Sequence, residues 1–212
     1  MQLADESVRH IHQFGGTILG TSRGGNDPAA AANFLAERGI NILFCIGGDG
    51  TSRGAHAIAE EIARRQLPIS IVGIPKTIDN DIEFCDRTFG FVTAASEAHT
   101  VISRAHAEAI SAVNGIGLVK LMGREAGFIT VAATIASGEV NFALIPEVPF
   151  TLNGKNGLVA WLERRLAARG HAVIVVAEGA GQELLPAGPD AVDASGNRKL
   201  GDIGTFLKKQ IV

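Results

Sequence analysis

A chain of 212 residues that is 46% hydrophobic and 19% charged, with a formal net charge of -3, holds enough apolar mass for one sizeable core and reads as one soluble globular domain. The pI is near 6.1 and the basic residues are scattered, so the Lys/Arg stripe that nucleic acid binding requires is missing and no polynucleotide partner is expected. No apolar run approaches the about 20 residues that cross a bilayer, and the N-terminus lacks a signal-peptide pattern, so no membrane role is expected.

In chain order, a partial helix is predicted from Glu6 to Phe14, followed by a strand-like run from Thr17 to Leu19. Helical patterns then cover Ala29 to Arg38, Ser52 to Arg65, Thr93 to Ala112, Ala126 to Ser137, Leu158 to Arg169 and Gly201 to Gln210. Buried strands fall between them at Ile42 to Ile46, Ser70 to Ile74, Ile116 to Leu121, Phe142 to Ile145 and Val173 to Ala177. This alternation predicts an α/β fold, a mostly parallel sheet flanked by helices. The Gly-, Pro-, Ala- and Asp-rich tract Gly179 to Asn197 is the expected loop excursion. Cys45 and Cys85 show neither metal-ligand spacing nor a disulfide framework, which suits a reducing cytoplasm. Many of the 26 glycines fall where a strand meets a helix, the junction at which α/β proteins place ligands.

The most informative stretch is Lys76-Thr77-Ile78-Asp79-Asn80-Asp81, just after an apolar strand. If it stays extended, Thr77, Asp79 and Asp81 project to one side while Lys76 and Asn80 turn to the other. Crowded carboxylates raise one another's proton affinity, so such an array needs a reason. The plainer alternative is an Asp/Asn-rich turn whose side chains bond nearby backbone.

Gly47-Gly48-Asp49-Gly50-Thr51 leaves a strand and opens a helix, with Thr51 placed to cap it. Glycines let backbone and ligand approach closely, and free amides at a helix start favour phosphate oxygens. Asp49 would repel a phosphate directly but suits a Mg²⁺ ion bridging phosphoryl oxygens. A plain glycine turn with Asp49 complementing the helix dipole is the alternative. Lipid kinases and NAD kinases resemble this loop too, so it does not choose a substrate.

Three further corners are ambiguous on their own. Arg23 and Gly24 sit in a glycine-rich loop that reaches a nucleotide phosphate or is merely solvated. Met122, Gly123 and Arg124 leave an apolar strand; Arg124 offers a planar fork to an acid or phosphate, or pairs with Glu125. Glu178 ends another buried strand, either to accept sugar hydroxyls or as a structural acid.

Taken together, Gly15 to Gly24, Asn114 to Arg124 and Ala177 to Gln182 resemble phosphofructokinases, specifically the plant-type and trypanosomatid-type ATP-dependent branch. Asp193 to Asn197 is similar to a segment of the same enzymes. The resemblance spans nearly the whole chain and implies a Rossmann-like phosphofructokinase fold, incomplete, with residues 1–212 forming one partial domain. That domain would hold the nucleotide-binding part and most of the sugar-phosphate part.

By this resemblance Asp79 is the base that takes a proton from fructose 6-phosphate as its hydroxyl attacks the terminal phosphate of ATP. Asp81 tunes the site, and Lys76 and Arg124 supply positive charge. Thr77, Ile78, Met122, Gly123, Arg124 and Glu178 contact the sugar phosphate; Arg23, Gly24 and Gly47 to Thr51 surround ATP, with Mg²⁺ on Asp49. Pyrophosphate-using relatives typically carry an aspartate at the position of Gly50, where it would clash with an α-phosphate, so glycine favours ATP. Lys76 is common to both donor classes.

The resemblance also implies a homo-oligomer. Family members have an upstream strand and glycine-rich turn, and arginine- and histidine-bearing segments downstream, so this chain is expected to be a fragment with weak or no turnover. A missing opening strand is expected to leave an apolar edge or face. The alternatives are a pyrophosphate-dependent enzyme, a non-catalytic subunit that senses nucleotide or sugar phosphate, and, last, an NAD or lipid kinase relative.

Overall fold

The computed structural model describes residues 3–22, 27–186, 192 and 199–212. Arg23, Gly24 and the segment Asp193 to Asn197 therefore lie outside the described residues. The chain opens with a single helical turn, α1 (Asp5–Val8), and a 3-10 turn at Ile11–Gln13. The partial helix expected from Glu6 to Phe14 is reduced to these two short turns, and Thr17 to Leu19 is a turn rather than a strand.

From Asp27 onward helices and strands alternate as the apolar periodicity predicts. They run α2 (Pro28–Glu37), β1 (Ile42–Gly47), α3 (Asp49–Arg64), β2 (Ser70–Pro75), α4 (Phe91–Ser111), β3 (Gly115–Leu121), α5 (Phe128–Ser137), β4 (Phe142–Leu144), α6 (Leu158–Arg169), β5 (His171–Ala177) and α7 (Ile203–Ile211). Asp27 caps α2 by accepting from the amides of Ala29 and Ala30, and Pro28 fits the first turn because its missing N–H would have had no helical partner.

Among the described residues the strand pairs are all parallel and flanked by helices, as predicted, but they divide into two sheets: β1 pairs with β2, and β5 is central between β3 and β4. Periodicity marks each strand but does not say which strands pair. The middle strand, β5, is apolar from Ala172 to Ala177 because both its faces are covered, as a central parallel strand requires. Its alternate residues feed two cores. Ala172, Ile174 and Val176 pack with Leu158 and Leu162 of α6 and Ile203 and Leu207 of α7. Val173 and Val175 pack with Ala98 and Ile102 of α4, Ala133 of α5 and Val119 of β3. A third core joins Ala32 and Leu35 of α2 to Ile62 of α3, over Leu43 and Ile71 of the two-stranded sheet.

Candidate active site

The segments that follow the C-terminal ends of β1 to β5 converge on one open cleft of about 680 Å³. It is lined by Gly48 and Asp49 after β1, and by Lys76, Thr77, Asp79 and Asp81 after β2. Arg124 and Glu125 follow β3, Pro146 follows β4, Gly179 and Gln182 follow β5, and Leu200 completes the wall. Parallel strand ends are where open α/β sheets place ligands, because helix starts and loops open there without interrupting the sheet.

Hydrogen bonds between the strand exits fix the walls. The amide of Lys76 donates to the carbonyl of Gly47 at 2.8 Å, which ties the glycine corner to the Lys76 to Asp81 segment. On the facing side the amides of Glu178 and Gly179 donate to the carbonyls of Leu121 and Gly123 at 2.9 and 3.0 Å. The Arg124 loop lies so closely over Gly179 that a side chain there would collide with the Arg124 carbonyl. Gly123 has φ +135°, a conformation open in practice only to glycine.

The glycine corner differs from expectation at Thr51. The N-cap of α3 is Gly48 and the helix begins at Asp49, so Thr51 lies within the first turn and caps nothing. Its side chain instead folds back over Gly47, where a Cβ would strike it. The cap position has no side-chain acceptor for the first amides of α3, which leaves a helix start suited to an anion, with Asp49 beside it. Gly50 faces open space, with no atom within 4 Å of where a Cβ would stand.

The Lys76 to Asp81 segment is a turn and not an extended strand end. The amide of Asp79 donates back to Thr77 Oγ1 at 3.1 Å, and Asn80 takes a left-handed φ of +58°. Lys76 therefore lines the same cleft as Asp79 and Asp81 instead of facing away from them.

Half-buried Asp79 has its pKa raised above the usual 3.8, first by burial and then by the neighbouring Asp81 carboxylate. Glu178 pushes in the same direction, while the backbone amide and guanidinium of Arg124 pull against it. The result is a carboxylate with strengthened affinity for a proton, with Arg124 beside it and Lys76 in the same cleft.

Other predicted residues stand apart from the cleft lining. The Ile78 side chain packs over Gly90 at the start of α4, Met122 is exposed, and Gly47, Gly50, Thr51, Gly123 and Glu178 are not among the lining residues. Glu178 still lies near enough to act on Asp79. The lining residues that sequence reading passed over are Glu125, Pro146, Gly179, Gln182 and Leu200. Only the strand-end position of Pro146 and the glycine spacing around Gly179 offered a signal for them.

The phosphofructokinase family model matches residues 1–211. ATP-dependent 6-phosphofructokinase 7 of Arabidopsis thaliana is 54% identical over 211 residues, which cover 99% of this chain and 44% of that relative. ATP-dependent 6-phosphofructokinase 5, chloroplastic, of the same plant is 50% identical over 210 residues, covering 99% of this chain and 39% of the relative. A pyrophosphate-dependent phosphofructokinase from Marinobacter aquaeolei superposes with a TM-score of 0.74 over 98% of this chain and 50% of that one; at 21% identity the likeness is one of fold alone. The chain spans less than half the length of the curated relatives it matches.

Proposed function

The chain belongs to the phosphofructokinase family, and we propose that it carries the phosphoryl-transfer part of an ATP-dependent 6-phosphofructokinase, with residues 1–212 as part of one such domain. The observation that supports this reading best is the meeting of Asp49, Lys76, Asp79, Asp81 and Arg124 in a single cleft at the strand ends.

In this reading Asp79 accepts the proton of the primary hydroxyl of fructose 6-phosphate as that oxygen attacks the terminal phosphate of ATP. An alcohol is a poor nucleophile, and a carboxylate of raised proton affinity within hydrogen-bond reach is a better base for it. Lys76 and Arg124 meet the charge on the transferring phosphoryl group, and the open helix start at Gly48 and Asp49 receives the nucleotide phosphates. Asp81 keeps the proton affinity of Asp79 high. Thr77 orients the turn through the Asp79 amide, while Glu178 and the Met122 to Arg124 strand exit face the sugar phosphate.

Mg²⁺ fits the chemistry of the site. No group of three or more His, Cys, Asp or Glu suited to a metal occurs among the described residues. Mg²⁺ bound with a nucleotide needs only one or two carboxylates, with phosphate and water as its other ligands, and Asp49, which lines the cleft, would supply one. Bound there, the ion would neutralise charge on the phosphoryl oxygens.

Glycine at position 50, which sets no charged side chain against an α-phosphate, supports ATP over pyrophosphate as donor. No helix of the described residues is long and apolar enough to cross a membrane. By the family resemblance, and with Cys45 and Cys85 both free, the working form in this reading is a cytoplasmic homo-oligomer.

Formation of fructose 1,6-bisphosphate from fructose 6-phosphate, Mg²⁺ and either ATP or pyrophosphate tests the proposal, with calorimetric binding of Mg-ATP alongside. The expected result is ATP-dependent product, weak from residues 1–212 alone and stronger from a chain extended at both ends, where Asp79→Asn slows it about 10²- to 10⁴-fold with Mg-ATP binding retained. Faster turnover with pyrophosphate would overturn the donor; unchanged turnover in Asp79→Asn would overturn the base.

A further inference from the structure

Between the two carboxylates of the cleft stands Asn80, a residue that no part of the reaction uses directly. Its backbone is left-handed, with φ +58°. That region is sterically costly for most L-residues and is tolerated best, after glycine, by asparagine and aspartate. Its side chain spans the loop that follows. Oδ1 accepts from the Thr88 amide at 2.8 Å, and Nδ2 donates to the Asp86 carbonyl at 3.4 Å.

Thr88 is only 8% exposed, so its amide needs a partner within the protein. The Thr88 carbonyl in turn accepts from the amide of Phe91, the first residue of α4. The side chain of Asn80 thus connects the cleft turn to the start of a 21-residue helix packed on β3 and β5.

We propose that Asn80 is a positioning residue: its left-handed backbone and its bifunctional amide hold the turn that delivers Asp79 and Asp81 to the same cleft. Both requirements together select asparagine. Glycine would satisfy the backbone and lose both hydrogen bonds. Alanine would satisfy neither. Aspartate would keep the acceptor for Thr88 but lose the donor and set a third carboxylate between two others. The loop that Asn80 closes contains Phe84, a bulky residue at φ +65° and 97% exposed, so the loop's own backbone does not favour this shape. The tie to α4 supplies the constraint instead.

The role rests on the reading of Asp79 as the base, yet its test needs no turnover. The 13C resonance of the Asp79 carboxyl is titrated in the wild type and in Asn80→Gly, with Glu61, distant in sequence and held at about 2, as an internal control. The expected wild-type midpoint lies above 3.8. In Asn80→Gly the Asp79 midpoint shifts down toward 3.8 as the turn opens to water and the carboxylates separate, while Glu61 does not move. A midpoint identical to wild type in folded Asn80→Gly would overturn the proposal.

Amide exchange at Thr88 in the wild type gives a second readout that no variant's misfolding can spoil. Slow exchange supports the bond to Asn80, and exchange at the rate of an unprotected amide overturns it. Unchanged turnover in Asp79→Asn would instead sink the proposed function and leave both of these readouts standing.

Discussion

Lys120 of β3 places its Nζ 2.7 Å from Oδ1 of Asp202, joining two residues 82 positions apart and pinning α7 against the sheet. Asp202 is also the N-cap of α7, accepting from the Thr205 amide at 3.3 Å and the Thr205 hydroxyl at 2.6 Å. Lys120 first, then Thr205, holds its pKa well below the usual 3.8. Its stabilisation is therefore fully present above 3.8 and is lost as pH falls below it. Both side chains are largely exposed, so the ion pair itself is worth at most about 1 kcal/mol, and the cap dominates. Asp202→Ala should cost about 1 kcal/mol in urea unfolding. Lys120→Met should cost less, with a coupling energy of roughly 0.5 kcal/mol in the double-mutant cycle. Equal losses in the two single variants would mean that the cap contributes nothing.

Asp79 carries the opposite sign. Its pKa is raised in the folded chain, by burial and by Asp81, so ionisation opposes folding once pH rises above the usual 3.8. Asp79→Asn removes that opposition. The variant should melt at a higher temperature than wild type at pH 7, and the gap should close as pH falls toward 3.8 and below. Thermal melts across pH 3 to 8 check this; a variant less stable than wild type at neutral pH would show that the carboxylate is better compensated than its surroundings imply.

Glu61 on α3 accepts from Nε and Nη2 of Arg64, at 2.9 and 2.7 Å, and from Arg65. Arg65 also reaches Oδ1 of Asn33 on α2, which links the two helices. Hydrogen bonding to Arg64 leads the causes that lower the Glu61 pKa from 4.5 to about 2. Its contribution is complete above 4.5 and disappears as pH falls through about 2. Glu61→Gln should therefore flatten the acid limb of the stability curve between these values and leave the alkaline side in place. An unchanged acid limb would show that the arginines are equally well satisfied in the unfolded chain.

Local pattern carried most of the fold. The run from Ala172 to Ala177 announces a strand buried on both faces, and Leu158–Arg169 is the helix that the periodicity draws. What escaped depends on residues distant in sequence or on backbone angles. Thr51 has the chemistry of a cap, yet the helix begins two residues earlier because Gly48 is already extended, at φ -82° and ψ -161°. Asp and Asn are as much at home in a turn as at a strand end, so the letters from Lys76 to Asp81 could not reveal the left-handed Asn80 or bring Lys76 to the cleft. The grouping of Asp49, Asp79 and Arg124 was legible only through family resemblance, since nothing local ties three separate strand ends together. Gln182, whose Nε2 donates to the carbonyls of Glu178 and Gly201, owes its place on the cleft wall to a contact 19 residues away.

Gly179 is the position where the closeness of two loops can be measured. Gly179→Ala places a methyl group against the Arg124 carbonyl, so the Arg124 loop must move. The expected cost is roughly 1–3 kcal/mol of stability. On the proposed function, in which Arg124 meets the transferring phosphoryl group, affinity for Mg-ATP and for fructose 6-phosphate should fall together, because Arg124 leaves its place. Calorimetry with each ligand and urea unfolding check the two effects. Unimpaired binding in a destabilised Gly179→Ala protein would show that the Arg124 loop can shift without harm to the site.

Among the described residues, α2 and α3 cover one face of the two-stranded sheet. On the other, Ile42, Phe44, Ile46 and Val72 stand side by side, each 38% to 58% exposed, and the register sets Phe44 directly opposite Val72. Parallel sheets are ordinarily covered on both faces, and an apolar patch of this kind favours association. The wild type should therefore bind an apolar dye such as ANS and sediment as larger species with rising concentration. Phe44→Ser should weaken both effects while costing no more than about 1 kcal/mol, since the ring is already half in water. Dye binding and sedimentation identical to wild type would place the association elsewhere on the surface, with exposed Phe14 and Leu19 the next residues to replace.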